Sequence, residues 1–383
     1  LVLLQWFANG GAGGALDQFT LAALRALTLL AAGHIASPAP DQQVGRIGAW
    51  RGHALMGAGL GLTLFSAGLA LNPWWGGAPA AIAGPPLFNT MTLALAAPAA
   101  LLFAASYRLY DRQRLAARTY AAAGGACALM WLALEVRRAF RPDAMSAPPV
   151  GLFEGGCYAL LFLAAALALA IAARLRDKRT PGGPFTRDLV AIMRGGAWTG
   201  LGLSVLILLA LRHPIWGMQD AEASKALSTL LAVFAQGVAV PLALLLGRAL
   251  SRSRDVEHTR FAAASAAILF AWSFGHSAIR WFEQRGYMDN GNAVSGLEGF
   301  GHALWPLILV VFGAALTARA PGRDTVRPYL YDLQALWATA IWPALGFAGL
   351  GLWALFNPWW GLWPATTPLA ALAAVPACVL AAG

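Results

Sequence analysis

Asn72-Pro73-Trp74-Trp75-Gly76 returns letter for letter as Asn357-Pro358-Trp359-Trp360-Gly361, and a looser copy, His213-Pro214-Ile215-Trp216-Gly217, stands between them. The first residues of the copies are 141 (213 − 72) and 144 (357 − 213) positions apart, a long regular period. Each copy closes an apolar run of about the length that crosses lipid, and its Pro and Gly make a sharp stop. Tryptophan suits such a stop at a membrane–water boundary, because indole is apolar with one polar N–H. Trp74, Trp75, Trp216, Trp359 and Trp360 are therefore read as interface turns. The pattern predicts a repeated, multi-spanning helical membrane protein.

Composition agrees. The 383 residues are 59% hydrophobic and 11% charged, with a mean hydropathy of +0.61; soluble domains carry about 25% charge. Eleven spans follow, near 18–35, 53–71, 88–107, 119–135, 154–173, 194–212, 226–247, 261–279, 298–318, 334–356 and 366–382. Most are rich in Ala, Leu and Gly, which lets helices approach closely in lipid. No stretch reads as a strand. The fold class is all-α: a polytopic bundle forming a single transmembrane domain over 1–383. With no initiator Met and no signal-peptide charge pattern, the chain reads as a piece of a longer protein.

Four spans separate one Trp turn from the next, an even number that returns the chain to the same side, so the repeats are parallel. Their bounds fall near 17–153, 154–297 and 298–383, the third partial. Glu154-Gly155 and Glu298-Gly299 share an offset of 144 (298 − 154), and Asp17 is a third copy, 137 residues (154 − 17) before Glu154. Arg138 pairs with Arg280, and Phe140 with Phe282, at an offset of 142 (280 − 138).

The net charge of +10 is distributed with the same period. Segments after odd-numbered spans hold 19 of the 27 basic residues, those after even-numbered spans hold seven, and Arg25 lies within the first span. The positive-inside rule then puts the Arg-rich loops in the cytoplasm and the Trp turns outside. The basic loop from Arg174 to Arg194 belongs near anionic headgroups, and nucleic acid is not an expected partner. Tyr107, Tyr110, Tyr120, Tyr329 and Tyr331 read as interface anchors. Cys127, Cys157 and Cys378 lack metal or redox spacing and read as small buried hydrophobes. Gly10 to Gly14 lacks the strand and helix of a phosphate loop.

Polar residues gather at two joins on the outer side. One carries Glu135, Arg138 and Glu154; the other carries His276, Arg280, Glu283, Glu298 and His302. On a helix, His276 with Arg280, Arg280 with Glu283, and Glu298 with His302 share a face. Arg138 is expected to reach Glu154, and Arg280 to reach Glu298, as charge-assisted pairs. The plain reading is electrostatic: acids belong at helix starts and arginines at helix ends, for about 0.3–1 kcal/mol each. The sharper reading is a site that handles a ligand or a proton, since ionisable groups at membrane depth are costly and often functional. The two histidines and two acids match no H-E-x-x-H spacing, so no metal is expected. No nucleophile–base–acid set is discernible, although Ser273, His276 and Ser277 lie close in sequence.

The run Glu135-Val136-Arg137-Arg138-Ala139-Phe140, preceded by Gly84-Pro85-Pro86-Leu87-Phe88-Asn89-Thr90 and the Asn-Pro-Trp-Trp turn, resembles the bacterial multi-pass membrane proteins catalogued as domain of unknown function 2339. The resemblance runs through nearly all of the chain. It implies a bacterial cytoplasmic (inner) membrane and a longer parent protein, and it brings no catalytic residue with it. At the second join Ser277 stands where Glu135 would, with His276 beside it, which argues against one catalytic role shared by both joins.

The expectation is an inner-membrane protein of transport or envelope biogenesis, using an outward-facing polar pocket formed by the eight residues of the two joins. Its partners would be the lipid bilayer, an anionic or sugar-bearing small molecule, or other membrane proteins. No cofactor is implied. An enzyme acting on a lipid-linked or sugar substrate at the outer leaflet, and a non-catalytic membrane scaffold, are the alternatives.

Overall fold

The computed structural model describes residues 17–37, 46–75, 82, 84–110, 113–142, 144–146, 150–179, 184–213, 226–250, 257–286, 298–299, 301–302, 304–309 and 311. The spans expected at 334–356 and 366–382, and the turns at Trp216, Trp359 and Trp360, lie outside the described residues. Among those described there is no strand. The helices are α1 (Gln18–Ala36), α2 (Arg46–Thr63), α3 (Ala97–Leu109), α4 (Arg114–Phe140), α5 (Leu152–Arg179), α6 (Pro184–Val205), α7 (Ala226–Leu250) and α8 (Glu257–Glu283). Extended by short π-helical turns, all eight carry segments long and apolar enough to cross a membrane, at the places of the first eight expected spans. Their outward faces are apolar as lipid requires, with Phe65 65% and Phe234 66% exposed.

The chain divides into two compact units, Leu1–Pro149 with Gly182–Ile192, and Val150–Pro181 with Met193–Gly383. In the first unit, Asp17 caps α1, accepting from the Thr20 N–H at 2.8 Å and the Thr20 hydroxyl at 2.6 Å. This is the plain role of an acid at a helix start. Helices α1 and α2 pack antiparallel at close range because glycines face the contact. A Cβ built on Gly33 would lie 2.5 Å from Met56 Cγ, and one on Gly59 would lie 2.9 Å from the Leu30 backbone nitrogen. Gly59→Leu is therefore expected to lower unfolding stability in detergent by about 1–3 kcal/mol, the usual cost of overpacking. Gly61, whose added Cβ meets nothing within 4 Å, supplies the control substitution.

After α2 the backbone widens into a π-helix, Leu64–Ala70, before the Pro73–Trp75 turn. The same event follows α6, where Leu206–Leu211 is π-helical before His213. The π-helical starts are 142 residues apart (206 − 64). Within the first turn, Asn72 is buried and its carboxamide oxygen accepts the Trp74 N–H at 2.9 Å. Trp75 is 58% exposed. At the far end of the first unit, Arg108 donates to the His34 carbonyl at 2.8 Å and closes the end of α1. Burial, and then the hydrogen bond to Asp188, push the Tyr110 phenol up to about 12.

In the second unit, α5 and α6 cross at Gly200, where a Cβ would lie 2.6 Å from the Phe162 carbonyl. The Ser204 hydroxyl donates across that crossing to Ala159. Helix α7 lies between α5 and α8: Gly156 of α5 meets Ala235, and Gly237 meets Phe274. The Thr229 hydroxyl donates to the Gly286 carbonyl at 2.7 Å. Leu163, Ala166, Leu201, Ala239, Ala243, Leu246 and Phe270 form the core. It is built largely of small side chains, so the polar groups above it stand out.

Candidate functional site

The second join folds into a hydrogen-bonded chain of ionisable groups. Arg280 lies in the last turn of α8, and Glu298 begins the helical residues 298–299, 301–302 and 304–309, so the two ends lie side by side. Arg280 Nη1 donates to Glu298 Oε1 at 2.9 Å, with the two side chains 5% and 0% exposed. Gln284 Nε2 donates to the other carboxylate oxygen at 2.9 Å. One helical turn along from Glu298, His302 Nε2 faces Oε1 at 3.4 Å. His302 Nδ1 lies 2.8 Å from His276 Nδ1. His276 in turn packs edge-on against Trp272, the ring centroids 4.5 Å apart.

These contacts select one tautomeric pattern. A carboxylate only accepts, so the proton between His302 and Glu298 belongs to His302 Nε2. The Nδ1 of a neutral His302 is then an acceptor, and the proton between the rings belongs to His276 Nδ1. His276 Nε2 is left as an acceptor. The row is directional: every link donates toward Glu298, where Arg280 and Gln284 hold the charge.

Beside the row, an open cavity of about 500 Å³ is lined by Phe274, Phe282, Glu283, Leu304, Trp305 and Ile308. Glu283 lines this groove, and so does Trp305. Its indole N–H points to the Ala271 and Trp272 carbonyls, and a Cβ on Gly275 would lie 1.7 Å from the ring.

Glu154 sits in the first turn of α5, is buried, and accepts from the Tyr158 hydroxyl at 3.0 Å. His213, which stands where Asn72 stands in the first turn, is fully buried, and burial pushes its imidazole down to about 4.

The first join does a different job. Arg138, expected to reach Glu154, has its guanidinium taken up by three backbone carbonyls, those of Ile82, Gly84 and Pro85. Glu135 accepts from the Leu87 N–H at 3.3 Å and the Asn89 amide at 2.5 Å. The two charges thus grip the Gly84–Asn89 loop from the end of α4. Leu87 has φ 66°, a conformation that costs a non-glycine residue energy and needs such a grip. Neighbouring Arg137 is 1% exposed, donates to the Met145 carbonyl at 2.6 Å, and lies over the Trp74 ring at 5.6 Å. Thus Arg137 ties down the Trp turn.

His276, Arg280, Glu298 and His302 are therefore brought together, while Glu283 lies beside them. Sequence reasoning missed Gln284, which follows the end of α8 and belongs to no motif. Among the described residues, no group of three His, Cys, Asp or Glu converges as metal ligands would.

Residues 1–181 match the family described as "Predicted membrane protein (DUF2339)". No curated protein and no solved structure matches the chain.

Proposed function

We propose, with residues 1–181 placed in that family of predicted membrane proteins, that the chain is a proton-handling protein of the bacterial inner membrane, of the transport class. The observation that carries this reading is the directional row His276–His302–Glu298, charge-balanced by Arg280. A proton accepted at His276 Nε2 releases the Nδ1 proton to His302, which releases its Nε2 proton to Glu298. Nothing needs to move far, because each donor already faces its acceptor. Since Glu298 already neutralises Arg280, the arginine is better suited to hold this carboxylate than to capture an anion. An anionic or sugar-bearing molecule is then the solute that the proton would drive. The Trp turns face outside in this reading, so Glu298 is the outer terminus of the row.

The parallel four-span repeat belongs to the same proposal. It is supported by the π-helical turns 142 residues apart. Repeats with a polar site at membrane depth are a common transporter plan, an analogy from architecture.

The test reads the ¹⁵N-histidine signals of the purified chain in detergent, assigned by single substitutions of its six histidines. His276 is expected as the Nδ1–H tautomer and His302 as the Nε2–H tautomer, as the row requires. The opposite tautomers would overturn the proposal.

A further inference from the structure

The face of α8 that carries His276 continues inward. Ser273, His276, Ser277 and Arg280 are spaced i, i+3, i+4 and i+7, so they form one stripe, and all four are buried. From Arg280 to Ser273 the stripe runs about 10 Å along the helix at 1.5 Å per residue. Across from it, the register of α7 on α8 is set by Thr229 at Gly286 and Gly237 at Phe274. That register brings Gln236 to the depth of Ser273–Ser277. Gln236 shares its buried face with Thr229, seven residues away, which also turns toward α8.

These side chains are deeply buried. Gln236 is 1% exposed, Ser273 and Ser277 are 0% exposed, and among the described residues the amide oxygen, the amide nitrogen and both hydroxyls have no hydrogen-bond partner. Several other helical hydroxyls fold back onto a carbonyl four residues earlier: Thr63 on Gly59, Ser66 on Leu62 and Ser204 on Gly200. Ser273 and Ser277 do not. Buried amides and hydroxyls in apolar surroundings are costly unless paired, and most find a protein or water partner. Ala239 and Ala243 on α7 and Phe270 on α8, further along the same helices, belong to the apolar core.

We infer that Gln236, Ser273 and Ser277 form a binding site for buried water, which extends the His276–His302–Glu298 row inward and delivers protons to His276. Two hydroxyls and a carboxamide supply the two to four polar partners that an internal water takes, and each can turn to donate or accept. The step balances. A protonated water gives its proton to His276 Nε2 and becomes neutral water, the inter-ring proton passes to His302, and the His302 Nε2 proton passes to the Glu298 carboxylate. One proton enters at the water and one arrives at Glu298. Delivery rests on the proton-handling reading above; occupancy of the site by water does not.

The experiment compares the wild-type chain in detergent with Ser273→Ala, Ser277→Ala and Gln236→Leu. It reads the infrared O–H stretching bands that shift when H₂¹⁸O replaces H₂O, and the thermal unfolding midpoint. The inference expects a shifting band from bound water in the wild type, its loss in each variant, and a lower midpoint in the alanine variants. Alanine is the better helix former. If the hydroxyls were dry, their removal would raise the midpoint and leave the infrared bands unchanged, and that result would overturn the inference. The alanine variants remove one oxygen each, so they serve if Gln236→Leu fails to fold. The two readings fail separately: the opposite histidine tautomers beside a water band sink the proton reading alone, and the expected tautomers without the band sink the water site alone.

Discussion

Glu298→Ala is expected to unfold at a much lower denaturant dose than the wild type, with a loss of about 3–5 kcal/mol, the usual cost of removing one partner of a buried ion pair. The size follows from the surroundings. Arg280 is 5% exposed and loses the acceptor of its Nη1 proton, while Gln284 and His302 lose the group that orients them. Arg280→Met with Glu298→Leu removes both charges while keeping similar volume, and an apolar replacement of this kind is often neutral or stabilising. The double variant should therefore regain most of the stability. Equilibrium unfolding of the three proteins in one detergent gives the coupling directly. A double variant no more stable than the single one would show that Arg280 stabilises the fold by some route other than this pair. The Nε2–H tautomer of His302 should no longer be selected in the double variant even where the fold is restored, because the carboxylate that accepts its proton is gone.

The second large effect is expected at the first join. Arg138→Ala withdraws the donors from three carbonyls, those of Ile82, Gly84 and Pro85. Hydrogen bonds to charged groups contribute about 1.5–3 kcal/mol each in buried settings; with Arg138 half-exposed, a loss of about 2–3 kcal/mol is expected. The more specific consequence is local. Leu87 is held at φ 66° only while its N–H is fixed on Glu135 and its carbonyl accepts from Thr92 at 2.8 Å. Without Arg138 the Gly84–Asn89 loop should open, and limited proteolysis should cut there many times faster than in the wild type. Glu135→Gln should give the same cut with a smaller loss of stability, since an amide oxygen still accepts. Equal cutting in all three proteins would mean that the loop is held by its own turns.

The two joins also show what the sequence makes legible. Arg138 and Arg280 match at the repeat offset, and both lie in the last turn of their helices, α4 and α8, as the macrodipole favours. Their partners differ, and offsets do not reveal partners. The acceptors of Arg138 are backbone carbonyls more than 50 residues earlier, and a carbonyl has no letter in a sequence. Arg280 meets a side-chain acid, so its pairing with Glu298 could be read from two helix ends meeting across a join. Arg137 and Arg138 are adjacent, yet one is 1% exposed and the other half-exposed. That choice is set by the phase of α4, where Leu134, one turn earlier, is also buried. The spans were the easiest part, because apolar runs ended by Pro, Gly and Trp state both length and limits. Gln236 and Gln284 were the hardest, since a single amide carries no periodic signal.

The π-helical stretches before the two turns bear on how such a chain tolerates change in length. A π turn closes its bonds one residue later than an α turn, so it holds a surplus residue. Removing one residue from the middle of an ordinary helix swings every later side chain by about 100°, or one residue's share of a 3.6-residue turn. At Leu64–Ala70 and Leu206–Leu211 the surplus can be lost by tightening to α geometry, with the flanking faces kept where they are. Just ahead of Asn72 and His213, then, the helices hold a length reserve that lets the turns keep their aim while the spans drift by a residue.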